Sequence, residues 1–279
     1  MPRLIHRVAR AAIRVCPALA RVPKLVSGLR RRFPATDERI EVALPTGGRM
    51  IINPRDYVSY HIYMLGLYEG ETVNALLSYL KQGDTFFDVG GHFGQYAVAA
   101  GVKVGDTGTV HTFEPGPVQS EYLRKNLELN KLSHVTLANV ALSDEPGELG
   151  LHVPSLPDIG RSQLVDPATD EGAIKVTVTT LDDYCRENGI ERIDVMKVDV
   201  EGAEFGVFKG APRVIRDFPP KAIFYESVDS LCAAFNHTPE EMHRYLEEAG
   251  YKIHAIVDGG LKPVADVERT ALTDFVALR

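Results

Sequence analysis

Hydrophobic positions along the chain switch repeatedly between a period of two and a helical period, which predicts strands and helices in alternation. In residues 38–53, Ile40, Val42 and Leu44 occupy every second position, Thr46, Gly47 and Gly48 turn, and Met50 and Ile52 resume the alternation. That is a hairpin pattern. Residues 61–79 carry aromatic and aliphatic side chains at helical spacing, interrupted at Gly66 and Gly70. A buried strand over 85–89, a glycine-rich turn over 90–94, a helix over 95–104 and a strand over 109–114 follow. Beyond them a helix is expected over 118–130, with Leu123 and Leu127 in the core, and a third strand over 135–142. Shorter strand signals at 147–153 and 174–178 flank a polar stretch containing residues 160–164, either a substrate-side lid or a solvated insertion. A helix over 181–188, buried strands over 193–199 and 222–226, a helix over 239–250 started by Thr238, and strands over 252–257 and 273–278 complete the pattern. On the 239–250 helix, Met242 and Tyr245 fall on the core side and His243 on the solvated side.

Residues 84–114 form one βαβ unit closed by an acid, Glu114. Such a unit suits an adenosine-bearing cofactor: glycines allow close backbone approach, the new helix offers its positive N-terminus, and the terminal acid can bind ribose hydroxyls. Counting from Gly90, His92 and Gln95 stand where a dinucleotide fingerprint needs its second and third glycines. Asp88 with Gly90, Gly91 and Gly94 instead suits a cationic ligand without phosphate, such as S-adenosylmethionine. Asp199 and Glu226 repeat the pattern of a strand ending in an acid, which aims both at the crevice outside the strands' carboxyl ends. Glu201 and Glu204 would lie one helical turn apart if the helix starts at once. Tyr68 and Glu69, just ahead of the cofactor unit, are placed either to fold over a ligand or to end a helix.

The chain has 279 residues, enough for one sizeable core with decoration. Its net charge of −7 disfavours a broad nucleic-acid surface. Cys16, Cys185 and Cys232 are far apart and form no metal or disulfide pattern, which fits a reducing cytoplasm. The first segment is different, because no Asp or Glu precedes Asp37 while Lys and Arg recur. On a helical wheel Arg3, Arg7, Arg10 and Arg14 fall on one side, and Leu4, Val8, Ala11, Ala12 and Val15 on another. A helix lying on an anionic membrane surface, at the inner membrane face, and an arm packed on protein both fit that pattern. The expected organisation is a basic arm over 1–37, a hairpin and helical cover over 38–83, and a cofactor domain over 84–279.

Asp88-Val-Gly-Gly-His-Phe-Gly94, Phe113-Glu-Pro115, Asn139-Val-Ala-Leu142 and above all Lys197-Val-Asp-Val-Glu-Gly-Ala-Glu204 with Lys209-Gly210 resemble the FkbM family of class I S-adenosylmethionine-dependent methyltransferases. The resemblance covers about residues 84–251. It implies a Rossmann-like α/β fold with a seven-stranded, mostly parallel sheet, helices on both faces, and O-methylation of a hydroxyl on a sugar, polyketide or lipid-linked glycan. Carried over, Gly90, Gly91, His92, Phe93 and Gly94 would hold the methionine end, Glu114 the ribose and Ala141 the adenine edge, with Asp88, Pro115 and Asp199 also among the cofactor-binding residues. Asp199 and Glu201 would face the acceptor, and the base would be Asp199, Glu201, Glu226 or His92. His92 replaces the family's more familiar Asn, and Gln163 stands where a second serine is usual. A divalent ion shared by Asp199 and Glu226 is conceivable, but no ligand cluster in the sequence demands a metal. An NAD-dependent oxidoreductase and a cofactor-binding scaffold without catalysis are the alternatives. The oligomeric state is open.

Overall fold

The computed structural model describes residues 2–16, 23–32, 35, 37–154, 162–165, 172–257, 259–266 and 273–279. Two helices, α1 (Pro2–Val15) and α2 (Pro23–Arg32), precede the hairpin β1 (Ile40–Ala43) and β2 (Arg49–Ile52) and the helices α3 (Tyr57–Leu65) and α4 (Gly70–Tyr79). Then come β3 (Thr85–Val89), α5 (Gln95–Val104), β4 (Thr109–Phe113), α6 (Pro117–Leu129), β5 (Val135–Ala138), β6 (Ala141–Leu142), β7 (Gly147–His152), β8 (Gln163–Val165) and β9 (Ile174–Thr179). The chain continues through α7 (Leu181–Glu187), β10 (Val195–Val198), α8 (Glu204–Lys209), α9 (Pro212–Asp217), β11 (Ala222–Glu226), α10 (Asp229–Ala234) and α11 (Pro239–Glu248). It closes with β12 (Lys252–Val257), β13 (Gly260–Pro263) and β14 (Asp274–Leu278).

The main sheet has eight strands in the order β13-β12-β14-β11-β10-β3-β4-β5. From β11 to β5 every pairing is parallel, and β14 enters antiparallel to both β11 and β12. Seven of these strands are the expected ones, and β13 is an unforeseen edge hairpin on β12. Side-chain alternation divides the core in two. Phe86, Val195, Phe224 and Val276 face a cluster shared with α5, α6 and the β1–β2 hairpin. Phe87, Met196, Tyr225 and Phe275 face the opposite cluster, built with α7, α8, α9 and α11. Val42, Met50, Ile52 and Ile62 belong to the first cluster, so the hairpin and cover helices bury their apolar faces against the cofactor unit itself.

Three expectations are corrected. Residues 135–142 are not one strand: after Ala138 the chain leaves the main sheet, and Ala141 and Leu142 pair in parallel with β9 in a second sheet of order β6-β9-β7-β8. The helix after Asp199 does not start at once. Glu201 (φ 55°) and Gly202 (φ 105°) turn the backbone left-handed, and α8 begins only at Glu204. His243 is buried, because α11 packs it against the aromatic face of the sheet with its ring 4.8 Å from Phe275 and 5.8 Å from Tyr225. Part of the supposed lid, residues 160 and 161, lies outside the described residues.

Candidate active site

The strand order reverses between β3 and β10: the chain runs outward through β4 and β5 on one side and through β11 on the other. Open parallel sheets bind ligands at such a reversal, outside the carboxyl ends of the strands. Here Val89 and Val198 are paired in register, so Gly90 and Asp199 leave the sheet side by side, with the Asp199 N–H donating to the Val89 carbonyl at 3.0 Å. A cavity of about 250 Å³ opens above them.

The glycines serve packing first. A Cβ on Gly90 would stand 1.8 Å from the Asp199 carbonyl oxygen, and one on Gly91 would stand 2.1 Å from Thr112 Oγ1. Gly90 also holds φ +85°, a conformation that side chains rarely adopt. The Gly90 and Gly91 N–H groups both donate to the Phe113 carbonyl, at 3.1 and 2.9 Å. Close passage of β3 past β10 and β4 therefore accounts for both residues before any ligand is considered.

Of the residues singled out in the sequence, Gly90, Gly91, His92, Phe93, Glu114, Pro115, Ala141, Asp199, Glu201 and Glu226 line the cavity. Asp88 and Gly94 do not. The Asp88 side chain is fully buried beneath the turn, where it accepts from Thr112 Oγ1 at 3.2 Å and lies 3.9 Å from Lys197 Nζ. Burial pushes its pKa up to about 6 against the pull of Lys197. Gly94 caps α5 and packs its backbone on Leu123.

Lys197 was legible only as part of a motif, yet it organises the floor. Its ammonium donates to the Gly90 carbonyl at 3.1 Å, pairs with Asp199 at 3.2 Å and sits 4.8 Å above the centre of the Tyr96 ring. Burial alone would lower its pKa, but Asp199, Asp88 and Glu69 outweigh burial and raise it. A lysine inside an otherwise apolar buried strand has to be paired, and that was the available signal. Tyr96 and Asp274 carried no comparable signal. The Tyr96 hydroxyl is shut away without a hydrogen-bond partner, and burial together with Glu69, Asp274 and Asp199 raises its pKa.

The remaining acids crowd one another. Burial, Asp199 and Asp274 push Glu69 up to about 8. Burial, then Asp199, Glu201 and Glu204, push Glu226 up to about 9. Burial and Asp199 are also among the causes that raise Asp274. Asp199, Glu204 and Glu226 each bring an oxygen within 4.8 Å of the other two, a spacing a divalent cation would fit. Glu204 is already engaged, since its Oε1 accepts from the Val200 N–H at 2.8 Å and the Gly202 N–H at 3.2 Å. It thereby holds the loop that presents Asp199 and Glu201.

Glu114 has a double task. Its Oε2 accepts from the His92 N–H and its Oε1 from the Gly116 N–H, both at 2.8 Å, while burial lifts its pKa to about 7. A carboxylate has about four acceptor positions, which leaves capacity for ribose hydroxyls. His92 holds φ 48°, and its buried Nε2 has no hydrogen-bond partner. Burial and Lys197 depress its pKa to about 3. On the cover side, Tyr68 N–H and carbonyl bond to both ends of the Gln95 amide at 2.8 and 2.9 Å, locking the Tyr68-Glu69 segment over the start of α5. Glu69 itself holds φ 50°. Leu151 and Leu164 of the second sheet also line the cavity, with Ser162, just ahead of β8, whose Oγ accepts from Gln119 Nε2 at 2.7 Å.

Residues 88–253, more than half of the chain, match the model of the methyltransferase FkbM domain. The chain belongs to the FkbM methyltransferase family. The cofactor of that family and fold is S-adenosylmethionine, and the turn without dinucleotide glycines, the acid-lined cavity and the unpartnered His92 Nε2 and Tyr96 hydroxyl fit it. The chain is similar to the methyltransferase sdnD of Sordaria araneosa, 40% identical over 129 residues, covering 35% of this chain and 49% of that one. It is also similar to the 2-O-methyltransferase NoeI of Sinorhizobium fredii, 31% identical over 118 residues, covering 37% and 47% of the two chains. The 31-O-demethyl-FK506 methyltransferase FkbM of Streptomyces tacrolimicus is 29% identical over 162 residues, covering 47% and 60%. The chain thus spans about half the length of the first two relatives it matches. Among solved structures, a TehB-like S-adenosylmethionine-dependent methyltransferase from Corynebacterium glutamicum superposes with a TM-score of 0.46 at 10% identity, over 79% of this chain and 93% of that one.

Proposed function

We propose that the protein transfers the methyl group of S-adenosylmethionine to a hydroxyl of a sugar, polyketide or lipid-linked glycan. The observation that carries this is the convergence of the carboxyl groups of Glu69, Asp199 and Glu226 beside a β3 turn that lacks the dinucleotide glycines, an oxygen-rich surface suited to a sulfonium. A relative named as a 2-O-methyltransferase supports oxygen as the accepting atom.

The bound cofactor supplies an electrophilic methyl on a positively charged sulfur. The residues 90–92 turn and Lys197 would receive the methionine end, Glu114 the ribose, and Ala141 the adenine edge. Gln95 holds Tyr68 across the cavity, which keeps water from the reacting atoms and fixes alignment, the main source of acceleration in an in-line displacement. An unactivated alcohol also has to lose its proton. Glu226, raised to about 9, holds its own proton at neutral pH, and His92, lowered to about 3, is too weak a base. Asp199, fixed by Lys197 at 3.2 Å, is assigned the role.

Calorimetry of the purified protein with S-adenosylmethionine, its demethylated product and NADH tests the cofactor. Tighter binding of NADH would remove the proposal. Mass spectrometry of producer-cell extracts with and without the gene, searched for pairs differing by one methyl, identifies the acceptor; a methylated nitrogen or carbon would overturn the hydroxyl assignment.

A further inference from the structure

Helix α1 of the basic arm packs on the body with one side and leaves an apolar stripe exposed on the other. Helix α1 grips the body through His6, Ala9 and Ile13: the His6 ring meets Tyr60 edge-on at 5.4 Å, and Ile13 joins Tyr60, Met64 and Val26 of α2 in a small core. At about 100° per residue, Leu4, Val8, Ala11, Ala12 and Val15 lie on the opposite side of the same helix. They face away from the protein, with Leu4 66%, Val8 61% and Val15 87% exposed. An arm evolved only to pack on its own domain would turn that stripe inward, because burying apolar area is what stabilises such a contact. Large apolar side chains exposed in a row mark a surface that something else covers.

Charge selects the occupant. Arg3, Arg7, Arg10, Arg14, Arg21, Lys24, Arg30, Arg31 and Arg32 precede the first acid, Asp37, on a chain whose net charge is −7. Two of these cations are held on α3, Arg10 over the Tyr63 ring at 4.7 Å and Arg30 over Tyr57 at 5.1 Å, whereas Arg7 and Arg31 are exposed. A second copy of this chain would bring the same positive segment against itself. An anionic lipid surface complements both features, apolar stripe and flanking cations. We infer that α1, braced by α2 on α3, is a docking helix for an anionic membrane surface. No helix among the described residues is long and apolar enough to cross a membrane, so the contact is one of lying on the surface. Helix α3 takes α1 on Tyr60 and Met64 and lines the cavity with Tyr57, Val58 and Ile62, so the docked surface and the reacting centre share one helix.

Cys16 follows α1 and is exposed, while Cys185 and Cys232 are buried, so a polarity-sensitive dye can be placed at Cys16 on the full-length chain. Titration with phosphatidylcholine vesicles, with and without phosphatidylglycerol, should give a blue shift and co-sedimentation only with the anionic mixture, weakened by salt. Leu4→Asp with Val8→Asp should lower partitioning by about tenfold or more, since it removes the apolar contact and adds like charge to the lipid. Cofactor affinity and melting temperature of that variant should match the parent, which separates lost docking from lost folding. Three results overturn the inference: full-length protein that stays in the supernatant with anionic vesicles, equal binding to both lipids, or a concentration-dependent dimer that the double substitution dissociates.

Discussion

Glu226 and Asp199 share a cavity, and substitution separates their roles. Because Glu226 is raised to about 9 by burial and neighbouring acids, it is protonated at pH 7, and Glu226→Gln copies that form. Methyl transfer at pH 7 should survive the substitution. The folded protein binds the Glu226 proton more tightly than the unfolded chain does, so its stability falls as pH rises from the ordinary carboxylate range to about 9. Glu226→Gln should therefore melt above the parent at pH 8.5 and level with it at pH 4. An unchanged pH profile of melting would show that Glu226 is solvated. Asp199→Asn keeps the shape and removes the proton acceptor, so kcat should fall by about 10²- to 10⁴-fold with little change in cofactor affinity. Single-turnover kinetics with one cofactor titration separate that outcome from a role in steadying the sulfonium, where affinity would fall first.

Elements here are held in place by carboxylates aimed at backbone N–H groups. Glu204→Ala would strand the Val200 and Gly202 donors at a cost of about 1–3 kcal/mol and loosen the loop carrying Asp199. Melting temperature and kcat should drop together, with Glu204→Gln restoring both in part. Glu114→Ala should weaken the cofactor and also lower the melting point of the free protein, since His92 and Gly116 lose their acceptor. A melting point equal to the parent's would show that those two hydrogen bonds do not hold the turn. The strands were legible because Phe86 and Phe87, or Phe224 and Tyr225, both face core and yield continuous apolar runs, and the ends of β4, β10 and β11 lie at or one residue before the acids Glu114, Asp199 and Glu226. The break after Ala138 was not legible, because Val140, Ala141 and Leu142 continue the hydrophobic pattern while Ala141 and Leu142 pair in a different sheet. Nor was Asp274 on β14, which antiparallel pairing sets opposite Glu226 of β11, a contact between distant segments that no local pattern records.

Across the whole molecule, acid accumulation in the cavity couples cofactor binding to protons. Glu69 and Glu226 are raised to about 8 and 9, and a sulfonium is attracted to their ionised forms. S-adenosylmethionine and its demethylated product share amino and carboxyl groups, so the ratio of their affinities isolates the sulfonium charge. That ratio should rise in favour of S-adenosylmethionine between pH 6 and pH 9, as about one further acid ionises. A flat ratio measured by calorimetry would place the sulfur away from these groups. Glu69 and Glu201 impose another consequence, because both bring carboxylates to the cavity on left-handed backbone, φ 50° and 55°, at about 1–2 kcal/mol each relative to glycine. A library of variants sorted by heat resistance alone would therefore drift toward glycine at positions 69 and 201, and its survivors would carry a cavity stripped of two carboxyl groups.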